Sequence, residues 1–200
     1  PCDSGEVLLS GENVTNLPAY VYIRKKIART FQNLRIFPTM TALENVLVGC
    51  QSMITYGRLD AIFRTKKMKK QELEALENAR HMLQILGMEQ YADEKIGNLP
   101  YGVQKKLEIA RALVSEPQVL LLDEPAAGMN PTETQSLLEA VRLIRERFQV
   151  SVLLIEHDMN FVMGLCEHII VLDYGRIIAE GPADEIRRNP KVIAAYLGGE

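Results

Sequence analysis

Cysteine is scarce: Cys2, Cys50 and Cys166 are the only three in 200 residues. They are isolated and odd in number, with neither a C-x-x-C pair nor an even framework. Reduced thiols in a cytosolic compartment are therefore expected rather than disulfides. An excess of one charge sign is also missing. The net charge is −3, so nothing in the overall balance calls for nucleic acid. No apolar run approaches the ~20 residues needed to span a bilayer, and no signal peptide is recognisable. Repeats and low-complexity tracts are absent. A soluble, intracellular chain is expected.

What is present suits one globular domain, or one core with a small subdomain: 47% of residues are hydrophobic and 24% charged. A chain of this size buries a sizeable core. It opens on Pro1 rather than Met, and Pro1-Cys2-Asp3-Ser4-Gly5 reads as a turn into a strand at Glu6–Leu9, so a fragment or processed chain is expected.

Short apolar strands alternate with helices. Val7–Ser10 and Ile23–Phe31 frame the opening portion. Thr41-Ala42-Leu43-Glu44 has the form of a capping box and predicts a helix to about Val48. Residues 50–70 read as irregular and then basic, with Arg64, Lys66, Lys67, Lys69 and Lys70 close together; such a run is usually a solvated face, with anionic lipid headgroups the other reading. Leu73, Leu76, Ala79, Leu83 and Leu86 recur at helical spacing, and Gly87 stands where a left-handed cap belongs. Val103, Leu107, Ala110 and Val114 mark another helix, and Asn130-Pro131 reads as an N-cap with proline at the first helical position. Leu137, Val141, Ile144 and Phe148 form the buried stripe of that helix. Ser151–Ile155 and Ile169–Leu172 read as core strands, and Asp173-Tyr174-Gly175-Arg176 as a hairpin turn into Ile177–Glu180. The alternation predicts a largely parallel α/β sheet.

The run Val119-Leu120-Leu121-Leu122 ends abruptly in Asp123-Glu124-Pro125. Ligands of open α/β sheets bind beyond the carboxyl ends of the strands, and two acids there suit Mg²⁺ binding and orientation of an attacking water. Ser151–Ile155 repeats the pattern and leads into Glu156-His157-Asp158. If the two strands are parallel neighbours, Asp123, Glu124 and His157 share one edge.

Four motifs now stand in order: Thr30-Phe31-Gln32-Asn33, Leu99-Pro100-Tyr101-Gly102-Val103, Leu120-Leu121-Leu122-Asp123-Glu124-Pro125 and Glu156-His157-Asp158. They resemble the Q-loop, signature, Walker B and switch histidine of ABC-transporter ATPases. Each alone is weak, but the ordered set spans almost the whole chain and is specific. Arg29 to Thr41, the Tyr101-Gly102 pair, Asp123 to Pro131 and Asn189 to Gly198 further resemble the LivG-type ATP-binding subunits of branched-chain amino acid importers.

The resemblance implies a P-loop NTPase-like parallel core with a helical subdomain and a small antiparallel part. Residues 1–32 and 116–200 would form the nucleotide-binding core, and 33–115 the helical subdomain facing a transmembrane partner. It implies ATP and Mg²⁺ as cofactors. Asp123 would hold the metal with Gln32 beside it, Glu124 would polarise water, and His157 would contact the γ-phosphate. Pro100, Tyr101, Gly102, Val103 and Gln104, leading an amphipathic helix, would meet ATP held by a second ATPase subunit, with Asn130 in the D-loop. Permease subunits, and indirectly a substrate-binding protein, would be the other partners, at the cytoplasmic face of the membrane. Urea or amide importers, lipopolysaccharide exporters and a non-catalytic module are the alternatives.

Three features depart from the family. No G-x-x-x-x-G-K-[ST] occurs, nor any Gly-Lys pair, so the usual phosphate cradle is missing. Truncation ahead of Pro1 is the expected reason, with weak ATP binding and an uncovered apolar sheet face as its consequences. Pro100 stands where relatives have Ser, and Val103 where they have Gln. Asn130 replaces a frequent Asp but is also a sufficient helix cap.

Overall fold

The computed structural model describes residues 2–197; Pro1 of the opening turn and Gly198 of the C-terminal segment lie outside the described residues. The chain runs β1 (Leu8–Leu9), β2 (Glu12–Asn13), α1 (Ala19–Arg24), β3 (Ile27–Arg29), α2 (Ala42–Cys50), α3 (Arg58–Ile62), α4 (Lys66–Ile85) and α5 (Tyr101–Leu113). It continues through β4 (Val119–Asp123), α6 (Pro131–Phe148), β5 (Ser151–Ile155), α7 (Met159–Leu165), β6 (Ile169–Asp173), β7 (Arg176–Gly181), α8 (Ala183–Arg188) and α9 (Pro190–Val192).

The expected α/β architecture is present. β3, β4 and β5 form a parallel sheet in that order, with Ile27 opposite Val119 and Val119 opposite Ser151. β6 and β7 form an antiparallel hairpin closed by Tyr174 (φ 44°) and Gly175 (φ 75°), the two left-handed residues that a tight hairpin turn requires. β1 and β2 make a second, smaller hairpin. Between β3 and β4 the described chain is helical wherever it is regular.

One face of the parallel sheet is covered. Ala28, Leu120, Leu122 and, partly, Val152 and Leu154 join Leu107, Leu137, Val141, Ile144 and Phe161 from α5, α6 and α7 in the main core. The other face is not: Leu153 and Ile155 of β5 are exposed, as are Ile170 and Leu172 of β6. A groove of about 910 Å³ separates these two strands, and among the described residues neither has a hydrogen-bonded strand neighbour on that side. The apolar face expected to lie uncovered is thus in the structure.

Local signals explain most helix ends. The Thr41 side chain accepts the Glu44 N–H while Glu44 accepts the Thr41 N–H, the capping box read at the start of α2. Gly87 (φ 65°) ends α4 with paired bonds from Met88 N to Leu83 O and from Gly87 N to Gln84 O, the Schellman arrangement. Two expectations need correction. Ile23–Phe31 is not one extended element; Ile23 and Arg24 end α1, and only Ile27–Arg29 pairs as strand. Residues 50–70 are not irregular. They hold a 3₁₀ turn, α3 and the first turn of α4, whose N-cap Thr65 accepts the Met68 N–H. A lysine-rich helix start hides the periodicity that marks the rest of α4.

Candidate functional site

The site begins with strand register. Asp123 lies opposite Ile155, so the residues following β4 and β5 emerge at one edge of the sheet. β3 lies on the other side of β4, and its Arg29 Nη2 reaches Asp123 Oδ2 at 2.7 Å. Three residues further on, Gln32 donates from Nε2 to Glu124 Oε2 at 2.7 Å. His157 Nδ1 stands 3.8 Å from Glu124 Oε1. The structure therefore brings Gln32, Asp123, Glu124 and His157 together at the strand ends.

Glu124 is held in an unusual backbone state. Its φ is 43°, a conformation L residues avoid, and the following Pro125 also bars the helical well. The Glu124 N–H donates to Ile155 O at 2.8 Å, extending the ladder one step past β4. Strain of this sort persists only where surrounding contacts over-determine it, and it clusters at functional sites.

Three further residues complete the arrangement. The Glu156 side chain is 1% exposed, and its carboxylate accepts N–H groups from Ala126 at 2.9 Å, His157 at 2.9 Å and Asp158 at 3.4 Å. It ties the turn after Glu124 to the loop carrying His157. Lys105, buried on α5, donates from Nζ to Gln32 O at 3.0 Å and so fixes the backbone that presents the glutamine. Burial pulls the Lys105 ammonium below its ordinary value, and Glu108, Glu156, Asp123 and Glu124 oppose that fall. Glu108 is pushed up by its own burial, against the N–H of Arg35 and the charge of Lys105. Lys105, Glu108 and Glu133 lie outside the motifs, and Arg29 and Glu156 lie within them but without an assigned role. A lysine and a glutamate three apart on a buried helix face, as Lys105 and Glu108 are, is the one sequence signal for them.

The expected signature residues sit at the start of α5. Pro100 is its N-cap and makes no side-chain cap; its carbonyl accepts from Val103 and Gln104. Tyr101 lies on the helix with Lys105 Nζ 5.8 Å from its ring. The Gly102 N–H is taken by Glu133 Oε1 at 3.3 Å, and a Cβ at Gly102 would stand 3.0 Å from that side chain. Val103 is half-buried against the core, and Gln104 turns back to Leu99 O at 2.7 Å. Asn130 caps α6 by accepting the Glu133 N–H at 3.0 Å. Among the described residues no hydrogen bond joins this stretch to Asp123, Glu124 or His157.

The donor set fits Mg²⁺. Among the described residues no three His, Cys, Asp or Glu side chains converge to hold a metal alone. Mg²⁺ in nucleotide enzymes uses one or two carboxylates and takes its remaining ligands from water and phosphate. Asp123, ion-paired with Arg29, would offer the anionic oxygen such an ion needs.

Comparison with known proteins is consistent with this geometry. The family model described as "ABC transporter" matches residues 1–127, and that described as "Branched-chain amino acid ATP-binding cassette transporter" matches 176–200. The chain is 44% identical over 194 residues to the high-affinity branched-chain amino acid transport ATP-binding protein BraF of Pseudomonas aeruginosa, covering 97% of this chain and 76% of that protein. It is 41% identical to the Escherichia coli protein LivG of the same description, with the same coverage. A solved ATP-binding cassette of an ABC transporter in its ADP conformation superposes with a TM-score of 0.81 at 32% identity, over 98% of this chain and 78% of that one.

Proposed function

The chain belongs to the ATP-binding subunits of ABC transporters, and on that premise we propose that it powers branched-chain amino acid import by hydrolysing ATP. The meeting of Gln32, Glu124 and His157 at one sheet edge carries this reading. The transport function printed for its relatives supplies the substrate class.

Glu124 polarises the attacking water, its carboxylate aimed by the Gln32 amide and its backbone locked to β5. His157, beside it, contacts the γ-phosphate. Asp123, with Gln32 beside it, would hold Mg²⁺, which when bound neutralises charge on the transferred phosphate. Residues 1–32 and 116–200 serve as the nucleotide core and 33–115 as the helical part facing the permease. Pro100, Tyr101, Gly102, Val103, Gln104 and Asn130 meet ATP on a second ATPase subunit, where the unpaired N–H groups of a helix start favour phosphate. For that, phosphate must displace the Glu133 carboxylate from Gly102. The work is done at the cytoplasmic face of the membrane, fed indirectly by a substrate-binding protein.

The 200 residues hold no G-x-x-x-x-G-K-[ST], so taken alone they bind ATP weakly and turn it over poorly. Calorimetric titration of the purified chain with MgATP checks this; tight Mg²⁺-dependent binding would refute it. The transport reading is tested by leucine, isoleucine and valine uptake in cells lacking the encoding gene. High-affinity uptake should vanish and return with the wild-type gene but not with a Glu124→Gln gene. Undiminished uptake in the deletion strain overturns it.

A further inference from the structure

We infer that α3 and the first turns of α4 form a site that docks on an anionic phospholipid surface. α3 buries none of its residues. Leu59, Ile62 and Phe63 follow one another at the three- and four-residue spacing of a single helix face. They are 71%, 71% and 75% exposed, an apolar ridge that no described residue covers.

Cations flank that ridge along the chain. Residues 58–70 contain Arg58, Arg64, Lys66, Lys67, Lys69 and Lys70 against the single carboxylate of Asp60. All six cations are exposed. Among the described residues only Lys70 pairs with a carboxylate, Glu74 at 3.6 Å. Asp60 is committed internally, accepting from Gly57 N at 3.0 Å and Thr65 Oγ1 at 2.9 Å. That pair of bonds, with Arg64 at φ 46°, fixes the corner that sets α3 beside the start of α4. Lys66, Lys70 and the exposed Leu73 then lie along one stripe of α4, spaced four and three residues apart.

This placement runs against helix electrostatics. The N-terminal end of a helix is positive and favours acidic residues in its first turn. α4 has none there and carries four lysines in its first five positions instead. Neither burial nor capping requires them; Thr65 provides the cap. Their bonds among the described residues are exposed ones, Lys67 Nζ to Thr55 O at 3.3 Å and Lys70 to Glu74, and a local rule broken for so small a return is the mark of a functional surface.

The composition selects lipid over protein as the occupant. Protein interfaces are depleted in lysine, whereas lysine near an anionic leaflet strengthens binding by about five-fold per residue. Apolar side chains flanked by long-stemmed cations are the makeup of an interfacial element, the apolar groups entering the acyl boundary and the cations remaining at the headgroups. No helix among the described residues is long and apolar enough to cross a membrane, so the contact is peripheral. The site is independent of the nucleotide chemistry above.

Co-sedimentation of the full chain with vesicles tests it. One set is phosphatidylcholine alone; the other is an equimolar mixture with phosphatidylglycerol. Binding is expected on the mixed vesicles only, and should fall as salt is raised. The triple change Leu59→Ser, Ile62→Ser and Phe63→Ser should weaken it at least about ten-fold. The change of Lys66, Lys67, Lys69 and Lys70 to Gln should weaken it about 10²-fold or more. Both sets alter only exposed side chains, so melting profiles should not move. Equal binding to both vesicle types, or wild-type binding by both variants, overturns the inference. So does loss of assembly with detergent-solubilised transmembrane subunits in variants whose vesicle binding is intact; the ridge is then a protein interface.

Discussion

Glu156 shows how much of the site depends on a residue that performs no chemistry itself. Its buried carboxylate holds three backbone N–H groups, two part-buried and that of His157 exposed. Removing such an acceptor costs about 1–3 kcal/mol for each buried group left unpaired. Glu156→Ala should therefore lower stability by about 1–3 kcal/mol in urea denaturation and displace His157. Unchanged stability would mean that the loop is held by something else. Cys50 offers a second residue-level test. Burial pushes its thiol from 9.0 up to about 11. Below pH 9 folded and unfolded states both keep the proton; between pH 9 and about 11 only the folded state does, so stability drops by about 2 kcal/mol as pH rises through that window. Urea titrations of wild type and Cys50→Ala on either side of the window should show the drop in the first and not in the second. At this scale Gln32, Asp123, Glu124 and His157 were legible because motif order marks them. Arg29 and Lys105 were not, because their partners lie 94 and 73 residues away and only the fold pairs them.

Elements announce their ends more clearly than their partners. Thr41, Asn130 and Gly87 each act as caps through hydrogen bonds local to the chain, so spacing alone exposes them. Thr41→Ala should cost about 1 kcal/mol, read as a shift in the denaturation midpoint with unchanged slope; no shift would show that α2 does not depend on its cap. α1 and α3 were illegible since they bury nothing and, at six and five residues, are too short for a spacing pattern to stand out. The contact between α2 and α5 is equally hidden in sequence. A Cβ at Gly49 would stand 2.3 Å from Arg111 O and 2.6 Å from Val114 Cγ1, so this glycine sets how closely the two helices approach. Backbone oxygen cannot swing aside as a side chain can. Gly49→Ala should cost about 3 kcal/mol, at the upper end for overpacking, in the same denaturation assay. A near-neutral result would mean that the helices separate freely.

As a whole the molecule is an α/β sheet covered on one side and bare on the other. Strand–helix alternation made that class readable, and the missing phosphate loop foretold the bare face, but the division into one three-stranded parallel sheet and two hairpins came only from pairing. Unpaired strand edges beside exposed Leu153, Ile155, Ile170 and Leu172 invite association with other chains. Light scattering should find the 200-residue chain self-associating as concentration rises, and less so after Leu153→Thr with Ile170→Thr. A monomer at every concentration would contradict this. The central claim concerns the edge where β4 and β5 end, and the assembled transporter tests it most directly. ATP hydrolysis by transporter carrying Glu124→Gln should fall about 10²- to 10⁴-fold while nucleotide remains bound, as expected for loss of a group that activates water. Hydrolysis at the wild-type rate would contradict the account and remove Glu124 from the chemistry.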